Sequence, residues 1–227
     1  MKIVVLAGGT SPERDVSLST GKMIYKALKN KGHQTILLDV YLGYEGDTSN
    51  LFDIEKDWAE GIGNIGTYNP DIKEIKALRK GNPDHFFGPG VLEICDMADI
   101  VFLALHGENG EDGRIQAAFD LMGIKYTGTD YASSTIAMDK AVSKELFTYY
   151  NIPSPKGIYV RKGEEYTWDS FPCVVKVNNG GSSVGVSIVH SADEMDAAID
   201  NALSYGDQLI IEQYIKGREF SVGVIDG

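Results

Sequence analysis

The chain has 227 residues, 43% of them hydrophobic and 24% charged, enough to bury a core shared between two domains of an ordinary globular protein. A formal net charge of −12 argues against nucleic acid as a main partner, because a phosphate backbone demands a positive face, yet a nucleotide needs only a few local lysines. The two cysteines, Cys95 and Cys173, make no C-x-x-C pair and no disulfide framework, the apolar run after Lys2 is too short for a signal peptide, and the longest later run, Ile100 to Leu105, reads as a buried strand and not a membrane span, so a soluble cytoplasmic protein with reduced thiols is expected.

Lys2 to Leu6 reads as a strand, broken by Gly8-Gly9-Thr10-Ser11-Pro12. Glu13 to about Lys31 reads as a helix with Val16, Met23, Ile24, Ala27 and Leu28 on its apolar face, and Gln34 to Val40 as a second strand. This order opens a parallel α/β sheet, although the G-x-G-x-x-G dinucleotide fingerprint is missing. Tyr41 to Pro89 reads as an insertion of loops and short elements with one helix around Asp71 to Arg79. Order returns at Val91 to Cys95 and in a strand from Asp99 to Leu105, followed by the polar loop His106 to Gly113 and a helix from Arg114 to Met122. Open α/β sheets place ligands at such a loop, past the carboxyl end of a buried parallel strand.

Lys125 to Thr127 reads as a short strand, Gly128-Thr129-Asp130 as a boundary, and Ser133 to Asn151 as a helix stopped by Pro153. Beyond it the pattern changes to strands over Gly157–Arg161, Cys173–Asn178, Val184–Val189, Gln208–Tyr214 and Phe220–Ile225. A single helix, Ala192 to Ser204, interrupts them and opens with the capping-box pattern Ser191-Ala192-Asp193-Glu194. The expected architecture is an α/β domain over residues 1–128, a small α+β domain over 129–216, and the start of a further domain at 217–227. The last strand runs into Asp226-Gly227, the opening of a hairpin whose partner strand is missing, so the fold is expected to be cut short.

The stretch Val174-Val175-Lys176-Val177-Asn178-Asn179-Gly180-Gly181-Ser182-Ser183-Val184-Gly185-Val186 joins two β-branched runs through a glycine–serine loop. Glycines let backbone N–H groups approach an anion, the hydroxyls of Ser182 and Ser183 add donors, and Lys176 supplies a point charge. An ordinary Gly-Ser hairpin with a solvated lysine fits the same pattern. It is not a P-loop, since no G-x-x-x-x-G-K-[ST] surrounds it. Glu212, at a strand end, is a candidate acceptor for an adenine amino group and Glu219 for ribose hydroxyls, or both are solvated edge acids. Lys140, taken alone, reads as a surface lysine. Glu13 enters a helix where the helix dipole favours an acid in any case; in a functional role it would hold a substrate ammonium. His106 ends a strand and could donate to a carboxylate or serve the fold. Glu108, Glu111 and Asp112 suggest a metal only if a second acidic cluster joins them.

Taken together these segments resemble the D-alanine–D-alanine ligases. The resemblance is carried by Gly8-Gly9-Thr10-Ser11-Pro12-Glu13-Arg14-Asp15-Val16-Ser17, by Ala104-Leu105-His106-Gly107 with Gly110-Glu111-Asp112-Gly113, and by Ala137-Met138-Asp139-Lys140. Val175-Lys176 with Gly181 to Val186, and Glu212 with Gly217-Arg218-Glu219-Phe220, continue it in the family's order over nearly the whole chain. It implies a Rossmann-like amino-terminal domain followed by an ATP-grasp fold, and a cytoplasmic enzyme of peptidoglycan precursor synthesis that uses ATP and Mg²⁺ (or Mn²⁺) to join two D-alanines. It further implies that Lys140 and Lys176 contact phosphates, that Ser182 and Ser183 sit in a closing loop, that Glu212 takes the adenine amino group, that Gln213, Tyr214 and Ile215 border the base, and that Glu219 takes the ribose. Glu13 would hold the ammonium of the first D-alanine with His106 nearby, catalysis would fall to Glu13, Lys176 and Ser182, and the protein would be a homodimer through its amino-terminal domain.

Two departures stand out. Val177 occupies the place where the family usually has proline, and the family's metal-binding acids, oxyanion-stabilising arginine and substrate-covering loop would all lie beyond residue 227. The expectation is therefore that this chain holds no metal ligands and does not turn over. A non-catalytic ATP-binding module, or a sister ligase joining D-alanine to D-lactate or D-serine, stands as the alternative.

Overall fold

The computed structural model describes residues 1–63, 70–181 and 185–225. By packing, the chain forms two units, residues 1–138 and 139–227. Residues 129–138, expected to open the second domain, therefore belong with the first: Thr135 Oγ1 donates to the Asp112 carbonyl at 2.9 Å, and an added Cβ on Gly113 would lie 2.3 Å from the Tyr131 carbonyl oxygen.

In the first unit, β1 (Lys2–Ala7) lies between β2 (Gln34–Asp39) and β3 (Ile100–Leu103) in a parallel sheet. Central position explains the unbroken apolar run, since Ile3 to Ala7 are all buried. Alternate side chains divide between two cores. Val5, Ala7 and Leu37 pack with Tyr25 of α1 (Arg14–Asn30). Val4, Leu6, Ile36, Leu38 and Val101 pack with Val91 and Ile94 of α3 (Val91–Asp96) and Ile115 and Phe119 of α4 (Arg114–Met122). The 41–89 stretch contributes Tyr41, Leu51 and Phe52 to this second core and carries a short helix, α2 (Ile72–Leu78), capped by the Asp71 carboxylate.

The buried stripe of α1 differs from its apolar pattern. Arg14, Ser17, Gly21 and Tyr25 face the sheet, whereas Met23 is 65% exposed and Val16 37%. Close approach is the reason: a Cβ on Gly21 would stand 2.7 Å from the Ala7 Cβ and 2.9 Å from Leu37 Cδ1, leaving no room for a large side chain. Arg14 is buried because it pairs with Asp39 and donates to the Gly9 carbonyl at 2.7 Å. The expected strand at 125–127 reduces to one parallel bridge, Val101 to Tyr126.

The expected helix over 133–151 is two, α5 (Tyr131–Met138) and α6 (Lys140–Tyr149), because the Asp139 carboxylate accepts from Val142 N and caps a new start. In the second unit, β4 (Gly157–Arg161), β7 (Gln208–Gln213), β5 (Cys173–Val177) and β6 (Val186–Val189) form an antiparallel sheet in that spatial order. α7 (Met195–Leu203) covers one face through Met195, Ala198 and Ala202 against Cys173, Val175, Leu209 and Ile211. The anticipated capping box does not close. Ser191 makes no side-chain cap, Glu194 accepts instead from His190 N at 2.8 Å, and a turn of 3₁₀ helix, Ala192–Glu194, precedes α7. Residues 220–225 form no strand: with no ladder partner among the described residues, Phe220, Val222, Val224 and Ile225 are 73–95% exposed. None of the described helices is long and apolar enough to cross a membrane.

Gly21→Ala should destabilise the protein by about 1–3 kcal/mol through overpacking against β1 and β2, overriding the gain of roughly 1 kcal/mol that alanine brings to a helix interior. Urea unfolding measures it, and a stabilised variant would show that α1 does not approach the sheet this closely.

Candidate functional site

In the first unit, candidate residues gather where β1 and β3 end side by side. Ser17 fastens the two ends, its Oγ donating to the Ala104 carbonyl at 2.7 Å and accepting from Gly8 N at 2.9 Å while fully buried. Ser11 Oγ donates to the His106 carbonyl at 2.7 Å and accepts from Glu13 N at 3.2 Å, so the loop before α1 is tied to the loop after β3. Glu13 and His106 thereby come together although 93 positions separate them in the chain. The turn at Gly107, with φ of +70°, lets the backbone pass close to the Glu13 carboxylate; a Cβ there would lie 2.9 Å from Glu13 Oε2.

His106 Nε2 stands 3.4 Å from Thr20 Oγ1, and its Nδ1 is 3.7 Å from Glu111 Oε1. Glu111 Oε2 accepts from Gly107 N at 2.7 Å. Partial burial and the neighbouring Glu111 charge push the Glu13 carboxyl above its ordinary value, against the opposing pull of His106. Among the described residues no salt bridge reaches this carboxylate, and a second acid acts on it, so an ammonium ligand would supply the charge it lacks. The acids proposed for a metal point elsewhere. Glu108 pairs with Arg114 at 2.8 Å, Asp112 accepts from Asn109 N and Arg114 N, and among the described residues no three metal-ligating side chains converge.

The second unit gathers Lys140, Lys176 and Glu212 on the sheet face opposite α7. Register accounts for it. Val174 pairs with Glu212 and Lys176 with Ile210, so the two charged side chains share a face while Cys173, Val175, Leu209 and Ile211 take the other. Lys176 Nζ donates to Glu212 Oε1 at 2.5 Å. A residue not anticipated completes the cluster. Lys144, one turn after Lys140 on α6, donates to Glu212 Oε2 at 2.8 Å, to Ser154 Oγ at 3.0 Å and to the Pro155 carbonyl at 2.6 Å. Burial pushes Glu212 up, but hydrogen bonds from Lys144 and Lys176 and their charges outweigh it and hold the carboxyl below the usual range. Lys144 also borders a cleft of about 1370 Å³ between α6 and the β4–β7 edge, lined by Val142, Glu145, Tyr159 and Ile210 among others.

Lys140 reaches the root of the glycine-rich loop, donating to the carbonyls of Gly180 at 2.7 Å and Asn178 at 3.0 Å. Burial, with the Lys176 charge adding to it, lowers its pKa. Asn178, fully buried, accepts from Ala141 N at 2.9 Å and donates from its own backbone to Gln208 O, which fixes where the loop leaves the sheet. Ser182 and Ser183 lie outside the described residues. Gln213 and Tyr214 are still bonded to the sheet through their backbone N–H groups, whereas Ile215, 65% exposed, and Glu219 lie on the exposed stretch that follows. Lys140, Lys176 and Glu212 are thus brought together, and Glu219 is not joined to them.

The profile described as the D-ala D-ala ligase N-terminus matches residues 2–129, and that of the D-ala D-ala ligase C-terminus matches residues 157–227. A D-alanine–D-alanine ligase of Lacticaseibacillus casei is 43% identical over 233 aligned positions; the alignment takes in 100% of this chain and 65% of the relative. The solved D-alanine–D-alanine ligase of Bacillus anthracis complexed with ATP matches 96% of this chain and 60% of its own, with a TM-score of 0.64 and 29% identity. The VanG D-Ala:D-Ser ligase of Enterococcus faecalis matches 95% of this chain and 63% of its own, with a TM-score of 0.63 and 26% identity.

Because the folded state holds a proton on Glu13 above the ordinary value of 4.5, stability contributed at this residue falls as pH rises from that value through the folded one. Glu13→Gln should remove that fall, so the stability of the variant relative to the parent grows with pH. Urea unfolding across about pH 4 to 7 tests this. Parallel pH profiles would place Glu13 in bulk water.

Proposed function

The chain belongs to the D-alanine–D-alanine ligase family, and from that premise we propose that it serves the ATP-dependent joining of two D-alanine molecules into D-alanyl-D-alanine, a cytoplasmic step toward peptidoglycan. The observation that carries this reading is the convergence of Lys140, Lys144, Lys176 and Glu212 on one sheet face at the root of a glycine-rich loop. The ammonium groups of Lys140 and Lys176 with the loop amides suit a polyphosphate, and the ionised Glu212 beside them suits an amino-bearing base.

In this reading Lys140 and Lys176 contact the phosphates, Ser182 and Ser183 ride on the loop that closes over them, Glu212 accepts from the adenine amino group, Gln213, Tyr214 and Ile215 border the base, and Glu219 takes the ribose hydroxyls. Glu13 holds the ammonium of the first D-alanine, with His106 beside it. The D-alanine carboxylate attacks the γ-phosphorus and ADP leaves; the amine of the second D-alanine then attacks the acylphosphate carbonyl and phosphate leaves. Each step gathers negative oxygens, so ammonium groups and backbone N–H groups held in place beforehand are what this chain contributes to the barrier. A closed loop would also keep water from the acylphosphate. Among the described residues no three His, Cys, Asp or Glu side chains converge, so the side chains described do not by themselves fit the Mg²⁺ that the family implies. The chain spans 65% of the length of its Lacticaseibacillus relative. A homodimer through the amino-terminal unit belongs to the same reading.

The likeness to a D-Ala:D-Ser ligase keeps a second amino-acid substrate other than D-alanine as the alternative. Calorimetric titration should detect ATP binding by the protein and D-alanine binding in preference to L-alanine; a protein that binds no ATP would defeat the reading. Lys176→Ala should weaken ATP binding by about 1.5–3 kcal/mol, as loss of a charge-assisted contact does. Glu13→Gln should weaken D-alanine and leave ATP alone, and a variant that loses ATP instead would put Glu13 in the wrong subsite.

A further inference from the structure

Lys144 and Lys176 hold the same carboxylate in unequal ways. An ammonium carries three N–H donors, and those of Lys144 meet three acceptors: Glu212 Oε2, Ser154 Oγ and the Pro155 carbonyl, at 2.8, 3.0 and 2.6 Å. Lys176 has one acceptor among the described residues, Glu212 Oε1. Moving Lys144 would break three bonds and strand a carbonyl, whereas moving Lys176 breaks one and leaves Glu212 with a counter-ion still in place. Both lysine side chains are about equally exposed, 20% and 24%, so it is the number of partners that separates them and not access to solvent.

We propose that Lys144 is a positioning residue for base recognition: it fixes Glu212 through Oε2 and ties it to the 154–155 connection, so that Oε1 is the oxygen presented to an exocyclic amino group when Lys176 turns to phosphate. This rests on reading the face as an ATP site. The consequence is selectivity. A carboxylate kept ionised by a permanent neighbour is an acceptor only, so it favours a purine with an amino group at that edge and repels one with a carbonyl oxygen there.

The test compares the binding of ATP, of inosine triphosphate, which carries the carbonyl, and of inorganic tripolyphosphate, to the parent and to Lys144→Met, with thermal unfolding followed in parallel. The parent should prefer ATP over inosine triphosphate. Lys144→Met should lower that preference about tenfold, the scale of one charge-assisted hydrogen bond, with tripolyphosphate affinity unchanged. A parent that binds neither purine overturns the ATP reading and this inference together, and a parent that binds both alike overturns the inference, since Glu212 then does not read the base. A parent that discriminates while Lys144→Met discriminates equally well overturns the role of Lys144 alone. A uniform loss for all three ligands also overturns it, since that marks a general structural defect. Should Lys144→Met fail to fold, ¹⁵N-labelled lysine signals of the parent, assigned with Lys144→Arg, decide the matter. On adding ATP the Lys144 ammonium should keep its slow proton exchange while the Lys176 signal shifts, and loss of protection at Lys144 overturns the inference.

Discussion

A carboxylate removed from water has to be neutralised, and in the second unit that requirement organises everything around Glu212. Its side chain is 9% exposed, and two ammonium groups approach it from different elements. Lys144 brings α6 and the 154–155 connection to the end of β7, and Lys176 does the same for β5. Because Lys140 lies one turn earlier on α6, the helix that neutralises Glu212 also reaches the carbonyls where the glycine-rich loop leaves the sheet. One charge demand therefore sets the position of a helix, a strand pair and a loop root.

The first unit solves a different problem with neutral groups. Parallel strands end with unpaired backbone groups, and hydroxyls take them up: Ser17 bridges Gly8 N and the Ala104 carbonyl, and Ser11 bridges Glu13 N and the His106 carbonyl. Those short links bring the acid of one loop beside the histidine of another. Among the described residues Glu13 has no cationic partner at hydrogen-bond distance, in contrast to the paired Glu212. The two acids assigned to different ligands thus have opposite electrostatic settings, one pushed up and one held down.

Much of this was legible in the residues, and the failures have physical causes. Strand β1 announced itself because a doubly buried strand is apolar at every position, and the loops after β1 and β3 were marked by glycines at chain reversals. The face of α1 misled because hydrophobicity was read as burial: the true contact needs Gly21 to let the helix approach and Ser17 to bond the strand ends, while Met23 looks outward. Asp139 read as a polar residue inside one long helix because a cap is recognisable only when the chain before it turns. Lys176 and Glu212 were both singled out, yet their pairing depends on an antiparallel register that spacing does not disclose. Lys144 carried no signal at all, since its three partners come from residues 10, 11 and 68 positions away. The apolar alternation of Phe220, Val222 and Val224 was real, but alternation describes a strand only where another strand pairs with it.

The contact between Lys140 and the loop root reaches further than a local bond. A trans peptide is planar, with its carbonyl and its N–H pointing in opposite directions. Drawing the carbonyls of Asn178 and Gly180 toward the ammonium therefore turns the amide hydrogens of Asn179 and Gly181 the other way. The lysine thereby orients two alternate peptide units at the root of the loop, with the positive ends of their dipoles directed away from itself. Its influence on an anion is then twofold, through its own field and through the orientation it imposes on the main chain, and replacing it would alter both at once.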